Sequence, residues 1–392
     1  MNAAVIMDQL RRFGPLSRAE IAARTGLNRS TVSSIVSSLI DDGLLREMDP
    51  ESARIGRPAT PLEIDPSGGS ALGLEIGVDF LSALLTDFTG EAQWSRRVHV
   101  DPTTDQIAVI DAASSMLEEG LRVAVERGLR PSGIGVGVPG LVDVKRGVLM
   151  LAPNLHWENV PLRLMFAQRF GLPVFVENEA NAAALGEYYF GAARGVDNFV
   201  YVSAGVGLGS GIIIDGKLFR GNRGYAGEIG HITVDPDGDL CGCGKRGCLE
   251  TLIGPRAVVK RVVRNLESGA VSSLLGITQG DPSRLDFEDV ASAAHSGDPL
   301  ALGAIQEVGR ALGMAIADLM QVFNPQLIVL GGVLNLASEE LIPVIERCVQ
   351  SYALSLCWEE ARVIPSAHGI DACVRGAVAM VLDDILREPL SN

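Results

Sequence analysis

Residues 224–250 read GYAGEIGHITVDPDGDLCGCGKRGCLE, which places His231, Cys241, Cys243 and Cys248 in an H-x9-C-x-C-x4-C array flanked by Glu228 and Glu250. Three thiols and one imidazole inside 18 residues are the donor set of a closed tetrahedral Zn2+ site, with soft thiolates and one borderline nitrogen. The stretch is rich in Gly and Asp, so it has little apolar surface of its own to fold around. A bound ion would supply the missing cross-link. A disulfide is the alternative, but three cysteines leave one thiol over and a C-x-C pair closes a strained ring.

Around this stretch, 392 residues are enough for two or three domains and a full core. A composition of 47% hydrophobic and 21% charged residues is that of an ordinary globular protein. No run of about 18 uncharged apolar residues occurs and the N-terminus lacks a signal-peptide profile, so a cytoplasmic chain with no membrane partner is expected. Six cysteines, half of them in one cluster, fit a reducing compartment. Cys348, Cys357 and Cys373 are expected to be inert core thiols. The net charge of −15 argues against polyanion binding by the whole molecule. Residues 1–40, however, carry five Arg against Asp8 and Glu20, a local +3 that leaves −18 for the other 352 residues. Nucleic-acid contact is thereby confined to one end.

That end has helix–turn–helix spacing. Val5, Ile6, Leu10 and Phe13 mark a first amphipathic helix, and Gly14-Pro15 ends it. Ser17 and Glu20 form a capping box for a short second helix through Ala23, and Asn28 caps a third. In the third, Val32, Ile35, Val36, Leu39 and Ile40 share an apolar face. Arg29, Ser30, Thr31, Ser33, Ser34 and Ser37 supply short polar side chains for the remainder, slim enough for a major groove and free of carboxylates that would meet phosphates. Asp41-Asp42-Gly43 stops the helix, and Leu44-Leu45 opens a β-wing. Arg54-Ile55-Gly56-Arg57-Pro58 is short, basic and extended, suited to laying Arg57 along a minor groove. The alternatives are a three-helix bundle used only for packing or dimerisation, and a solvated linker.

After Pro66-Ser67-Gly68-Gly69 the pattern becomes apolar strands alternating with helices, the signature of α/β layers. Strands are expected at Ala71–Ile76, Ser82–Asp87, Trp94–Val100, Ile134–Val138, Pro173–Glu177, Phe199–Val202 and Ile212–Ile214. Helices are expected over 105–127 and from near Ala180. GIGVGVPG at 133–140 fits a buried strand better than a dinucleotide loop, since no helix opens after it and Pro139 interrupts. GVGLGSG at 205–211 is either a phosphate-cradling hairpin turn or a plain one.

GEIGH followed by CGCG..GCLE, together with GIGVGVPGLVD (133–143), APNLHWENVPL (152–162), VENEANAAALGE (176–187) and FNPQLIVLGG (323–332), resembles the ROK family of repressors, open reading frames and sugar kinases. The likeness covers roughly residues 70 to 390, and NEAN with the N-terminal head resembles the xylose-repressor branch. It implies a winged helix-turn-helix (1–65, with linker) followed by a two-lobed actin-like, hexokinase-type domain (66–392). Lobe 1 would span about 70–185 plus the C-terminal helix, and lobe 2 about 186–375. It further implies that Asn178, Glu179, Glu228, His231 and Glu250 bind sugar, with Gly140 and Asn154 as lesser contacts and His231 bridging metal and sugar.

Against the family's kinases, Glu75-Ile76-Gly77-Val78-Asp79 lacks the second glycine and the threonine of the D-x-G-G-T phosphate loop. Glu179 stands where the catalytic Asp of N-D-A-N would be, and Ala204-Gly205-Val206-Gly207 lacks the usual threonines. One extra methylene displaces a base by more than about 1 Å, which can cost about a hundredfold. The expectation is therefore a catalytically retired kinase fold serving as a sugar-responsive repressor, a homodimer or homotetramer on double-stranded operator DNA. The rivals are an active sugar kinase carrying a DNA-binding head, and a DNA-binding protein whose body only oligomerises.

Overall fold

The computed structural model describes residues 2–48, 60–387 and 389. The chain divides into two compact units, one of residues 1–150, 159–190 and 374–392, the other of residues 151–158 and 191–373.

In the first unit the head opens with helix Asn2–Phe13, which buries Ala3, Ile6, Met7 and Leu10 at i, i+3, i+4 and i+7. Val5 and Phe13, expected in that core, are 40% and 46% exposed. Met7 occupies the inward position instead, and the Phe13 ring lies beneath the Arg24 guanidinium at 4.3 Å. Helix Arg18–Thr25 starts at the expected capping box, with the Ser17 N–H donating to Glu20 Oε2 at 2.8 Å and the Glu20 N–H donating to Ser17 Oγ at 3.3 Å. Gly26, at φ 71°, closes it in the left-handed conformation. Helix Arg29–Asp41 is N-capped by Asn28, whose Oδ1 accepts the Thr31 N–H at 2.8 Å, and Val32, Val36 and Leu39 are fully buried. Strand Pro61–Ile64 lies between Leu16–Ser17 and Leu45–Glu47 and is antiparallel to both. Three helices backed by this small sheet make a winged helix-turn-helix.

The same unit holds a five-stranded sheet in the order Val174–Asn178, Pro131–Val138, Ser70–Ile76, Phe80–Asp87, Ala92–His99. The first three strands are parallel and the last two antiparallel. GIGVGV is a buried central strand, as its pattern predicts. Helix Ala372–Arg387, from the far end of the chain, closes this unit at very short range. A Cβ on Gly135 would stand 1.8 Å from the Ala377 carbonyl oxygen, and one on Gly376 would stand 1.6 Å from the Ala182 carbonyl oxygen. Only glycine allows these backbones to meet.

The second unit is built on another mixed sheet, Lys217–Leu218, Leu208–Ile214, Phe199–Ala204, Leu327–Gly332, Arg362–Pro365. Its core side chains, among them Val200, Val202, Ile328 and Leu330, pack with residues of helices Pro255–Glu267, Phe287–His295, Pro299–Phe323 and Ser338–Tyr352. Helix Pro299–Phe323 is long and apolar enough to cross a membrane by composition, but Ile305, Val308, Leu312, Ile316 and Met320 belong to this core. Cys373 is buried as expected. Cys348 and Cys357 are only half-buried, a correction to their reading as core thiols. Both strands flanking GVGLGSG extend further than the sequence pattern implies, to Ala204 and from Leu208, so the turn shrinks to residues 205–207.

Candidate functional site

The four predicted donors converge. One ligand atom from each of His231, Cys241, Cys243 and Cys248 lies within 4.8 Å of all the others. Local hydrogen bonding builds the cluster. The Cys241 N–H donates to the Lys245 carbonyl and the Gly244 N–H to the Cys241 carbonyl, at 2.8 and 2.9 Å, forming a knuckle around Cys243. Isolated bridges pair Thr233 with Cys248 and Leu240 with Arg246. His231 ends a short 3-10 turn, Ile229–His231. The Cys243 and Cys248 sulfurs are 3.7 Å apart, and Cys241 Sγ is 3.7 Å from His231 Nδ1. A disulfide needs about 2.05 Å, whereas a tetrahedron with Zn–S near 2.3 Å has edges of about 3.8 Å. Burial pushes the Cys241 and Cys248 thiols above the ordinary range. Cys243 lies below it, because the Lys245 amide, the neighbouring thiols and the Lys245 charge outweigh its burial. The donor set therefore fits a thiophilic divalent ion such as Zn2+, which Cys241, Cys243, Cys248 and His231 would hold.

The two glutamates flank this cluster. His231 Nε2 faces Glu228 Oε2 at 4.0 Å. Burial, reinforced by Glu250 and opposed by His231, raises the Glu228 carboxyl above the usual carboxylate range. Glu250 accepts the Leu208 N–H at Oε2 (3.1 Å) and the Cys241 thiol at Oε1 (3.1 Å). One carboxylate thus ties the knuckle to the hairpin turn 205–207. A Cβ on Gly207 would fall 2.6 Å from Glu250 Oε2 and 3.9 Å from Asn154 Nδ2, so Asn154 lies in the same neighbourhood. The Leu208 amide, first of the strand after that turn and one of the GVGLGSG amides, is engaged by a carboxylate.

Asn178 and Glu179 belong to the first unit, where strand Val174–Asn178 runs directly into helix Glu179–Phe190. Asn178 Oδ1 accepts the N–H groups of Ala180 and Asn181 at 2.9 and 3.2 Å, capping that helix. Its Nδ2 donates to the Gly140 carbonyl at 3.0 Å, which brings Gly140 and Asn178 together. Glu179 is the first helical residue and half-buried. Glu177 was missed by sequence reasoning. It is fully buried, accepts from the Asn178 N–H (3.0 Å) and Asn181 Nδ2 (3.2 Å), and so holds the strand-to-helix corner. Nothing in the residue pattern separated it from a surface acid. In the loop after the first strand, the Phe80 ring covers Gly77, where a Cβ would meet Cε1 at 2.4 Å, and Arg97 stacks over that ring at 3.6 Å.

On the head, Arg29, Ser30, Ser33 and Ser34 are exposed and Thr31 is half-buried, so one helix presents the predicted polar face. Arg57 lies outside the described residues.

Residues 71–384 match the model of the ROK family and residues 2–55 that of the MarR family. The xylose repressor of Caldicellulosiruptor bescii is 34% identical over 377 residues, 95% of this chain and 93% of that protein. The DNA-binding transcriptional dual regulator NagC of Escherichia coli K12 is 33% identical over 390 residues, with coverages of 97% and 92%. A crystal structure of a ROK family transcriptional regulator, a homologue of the E. coli MLC protein, superposes with a TM-score of 0.83 at 33% identity, covering 98% of this chain and 97% of that one. A ROK family glucokinase from Streptomyces griseus, solved with glucose and AMPPNP, has a TM-score of 0.70 at 35% identity and covers 80% of this chain but 99% of its own.

Proposed function

Because the chain belongs to the ROK family, we propose that it is a sugar-responsive transcriptional repressor of carbohydrate-utilisation genes, with a Zn2+-stabilised effector site in a kinase fold that no longer transfers phosphate. One observation carries the reading. The repressor-type relatives align over essentially the whole chain, head included, whereas the glucokinase, itself 99% covered, leaves a fifth of this chain unmatched.

In this proposal residues 1–65 are the DNA-binding domain and 66–392 the sugar-binding body, with lobes at about 70–185 plus the C-terminal helix and about 186–375. Arg29, Ser30, Thr31, Ser33 and Ser34 enter the major groove and Arg57 an adjacent minor groove. A dimer or tetramer places recognition helices on half-sites about one helical turn apart, or a multiple of it. Glu179, Glu228 and Glu250 accept hydrogen bonds from the hydroxyls of a pentose or amino sugar, and Asn178 Nδ2 and His231 Nε2 donate to its oxygens; such convergent polar groups are selective for a ligand of this kind. His231, Cys241, Cys243 and Cys248 would hold the ion, which would cross-link the loop and keep His231 rigid with its Nε2 facing Glu228. Sugar binding changes the placement of the heads, and operator affinity changes through differential binding to the two states.

Three features support retirement of the kinase chemistry. Phe80 occupies the first phosphate loop, Glu250 holds the Leu208 amide at the second, and Glu179 replaces the shorter base. The test is an anisotropy titration of an operator fragment, selected from random duplexes by the protein itself, with and without xylose, glucose and N-acetylglucosamine. A change in operator affinity with one sugar is expected, and indifference to all of them at saturation refutes the reading.

A further inference from the structure

The buried side chain of Arg11 is the least expected feature of the head. It lies on helix Asn2–Phe13, in the segment whose positive charge suggests contact with DNA, yet it is only 7% exposed. Its guanidinium carbon sits 4.8 Å from the Tyr188 ring centre and 4.1 Å from that of Tyr189, the two rings being 5.6 Å apart and nearly perpendicular. Nη1 donates to the Tyr188 carbonyl at 3.3 Å, and Nε and Nη2 donate to Asp8 Oδ1 at 3.2 and 2.7 Å. The Tyr189 hydroxyl hydrogen-bonds to Asp383 of the C-terminal helix, which also pairs with Arg387 at 2.7 Å.

Tyr188 and Tyr189 lie in the last turn of helix Glu179–Phe190, whose first residue is Glu179 and whose cap is Asn178. At 1.5 Å per residue the helix carries about 15 Å from Glu179 to Tyr189. It has no proline, its one glycine, Gly186, is buried, and the C-terminal helix touches its backbone at Ala182. It therefore behaves as a short braced rod. A cation enclosed by two aromatic faces is held more tightly than one at the surface. Leaving it buried without those partners costs several times what a neutral contact would. When the rod shifts, the head must follow it rather than let go.

We infer that Arg11 is a positioning residue for operator recognition, a clasp through which the effector-binding end of helix Glu179–Phe190 sets the placement of the DNA-reading head. The inference rests on the sugar-responsive reading above and adds the route that the response takes. The head itself folds around Ile6, Met7, Leu10, Val36 and Leu39, so the clasp governs where the head sits and leaves its fold intact.

The test compares the full-length protein with Arg11→Met, which keeps the aliphatic stem, and Tyr189→Phe, which keeps the ring and cuts the link to Asp383. Operator affinity is measured by anisotropy with and without the responsive sugar, and sugar affinity by calorimetry with and without operator. Both variants should bind sugar within about twofold of wild type, while the sugar-induced change in operator affinity shrinks at least about fivefold. By reciprocity the operator's effect on sugar affinity must shrink by the same factor, a readout that simple loss of stability does not produce. Hydrogen exchange in residues 2–13 should accelerate in Arg11→Met without sugar present. Folded variants that keep wild-type coupling and wild-type exchange overturn the clasp. Should Arg11→Met fail to fold, Tyr189→Phe decides alone. A wild-type protein indifferent to every sugar overturns the sugar-responsive reading, and unchanged exchange in the variants then overturns the anchoring role of Arg11 separately.

Discussion

Replacing Cys243 by Ser removes one of the four proposed metal donors with the least damage to the fold, because Cys243 is exposed while Cys241 and Cys248 are buried. Serine matches the thiol in shape, but its hydroxyl stays protonated at neutral pH and is a poor partner for a thiophilic ion. Structural zinc in comparable sites contributes about 10–16 kcal/mol of binding free energy. With four donors, one carries roughly 3 kcal/mol, or about a hundredfold in dissociation constant. At free zinc about 100 times the wild-type constant, the ion stabilises the native chain by about 2.7 kcal/mol, whereas a site a hundredfold weaker retains about 0.4 kcal/mol. At about 2–4 °C per kcal/mol for domains of this size, the zinc-dependent rise in Tm falls from about 5–10 °C to about 1 °C. The assay is a thermal melt of chelator-treated protein with and without zinc, paired with Co2+ substitution to read thiolate-to-metal charge transfer. Equal zinc-dependent shifts in wild type and Cys243→Ser, or no zinc uptake by reduced wild-type protein, refute the metal reading.

Other consequences are as direct. Gly376→Ala drives a Cβ to 1.6 Å from the Ala182 carbonyl oxygen, so two helices must part, and a loss of about 3 kcal/mol or more is expected in a denaturant melt. Ser33→Glu puts a carboxylate on the exposed face of helix Arg29–Asp41; operator affinity should fall at least about tenfold by anisotropy, with an unchanged melt. Ser17→Ala breaks the capping box and should cost about 1 kcal/mol. The Glu20 carboxyl is held low chiefly by the Ser17 N–H and then by its hydroxyl, so its ionisation stabilises the head above the usual carboxylate range and ceases to do so as pH falls through the depressed value. Acid-induced acceleration of hydrogen exchange in helix Arg18–Thr25 should therefore be shallower in Ser17→Ala. Wild-type protein should show no ATP-dependent phosphorylation of xylose, glucose or N-acetylglucosamine, and turnover near about 1 per second or faster would restore the kinase alternative.

Much of this architecture was readable from local pattern. The Ser17–Glu20 box, the Asn28 cap and the Val32–Val36–Leu39 stripe all stand where periodicity placed them, because caps and 3.6-residue spacing act within a few residues. The His/Cys quartet was legible for a chemical reason, since few other purposes bring three thiols and an imidazole so close. What escaped depended on residues distant in the chain. Arg11 reads as a surface cation until Tyr188, Tyr189 and Asp383 are in place, and Phe13 reads as core until Arg24 covers it. The double engagement of Glu250, with a turn 42 residues earlier and a thiol 9 residues earlier, was equally invisible to any window along the sequence.

The chain's path also orders its own synthesis. The second unit is almost wholly encoded by the uninterrupted stretch 191–373, whereas the first unit needs residues 374–392 for completion. A ribosome therefore releases the inserted unit able to fold while the earlier-made sheet still awaits the helix that meets Gly135 and Ala182. A message truncated near its 3′ end would yield nascent protein with a finished insert and an open apolar sheet face, a product prone to aggregate before it could occupy a promoter.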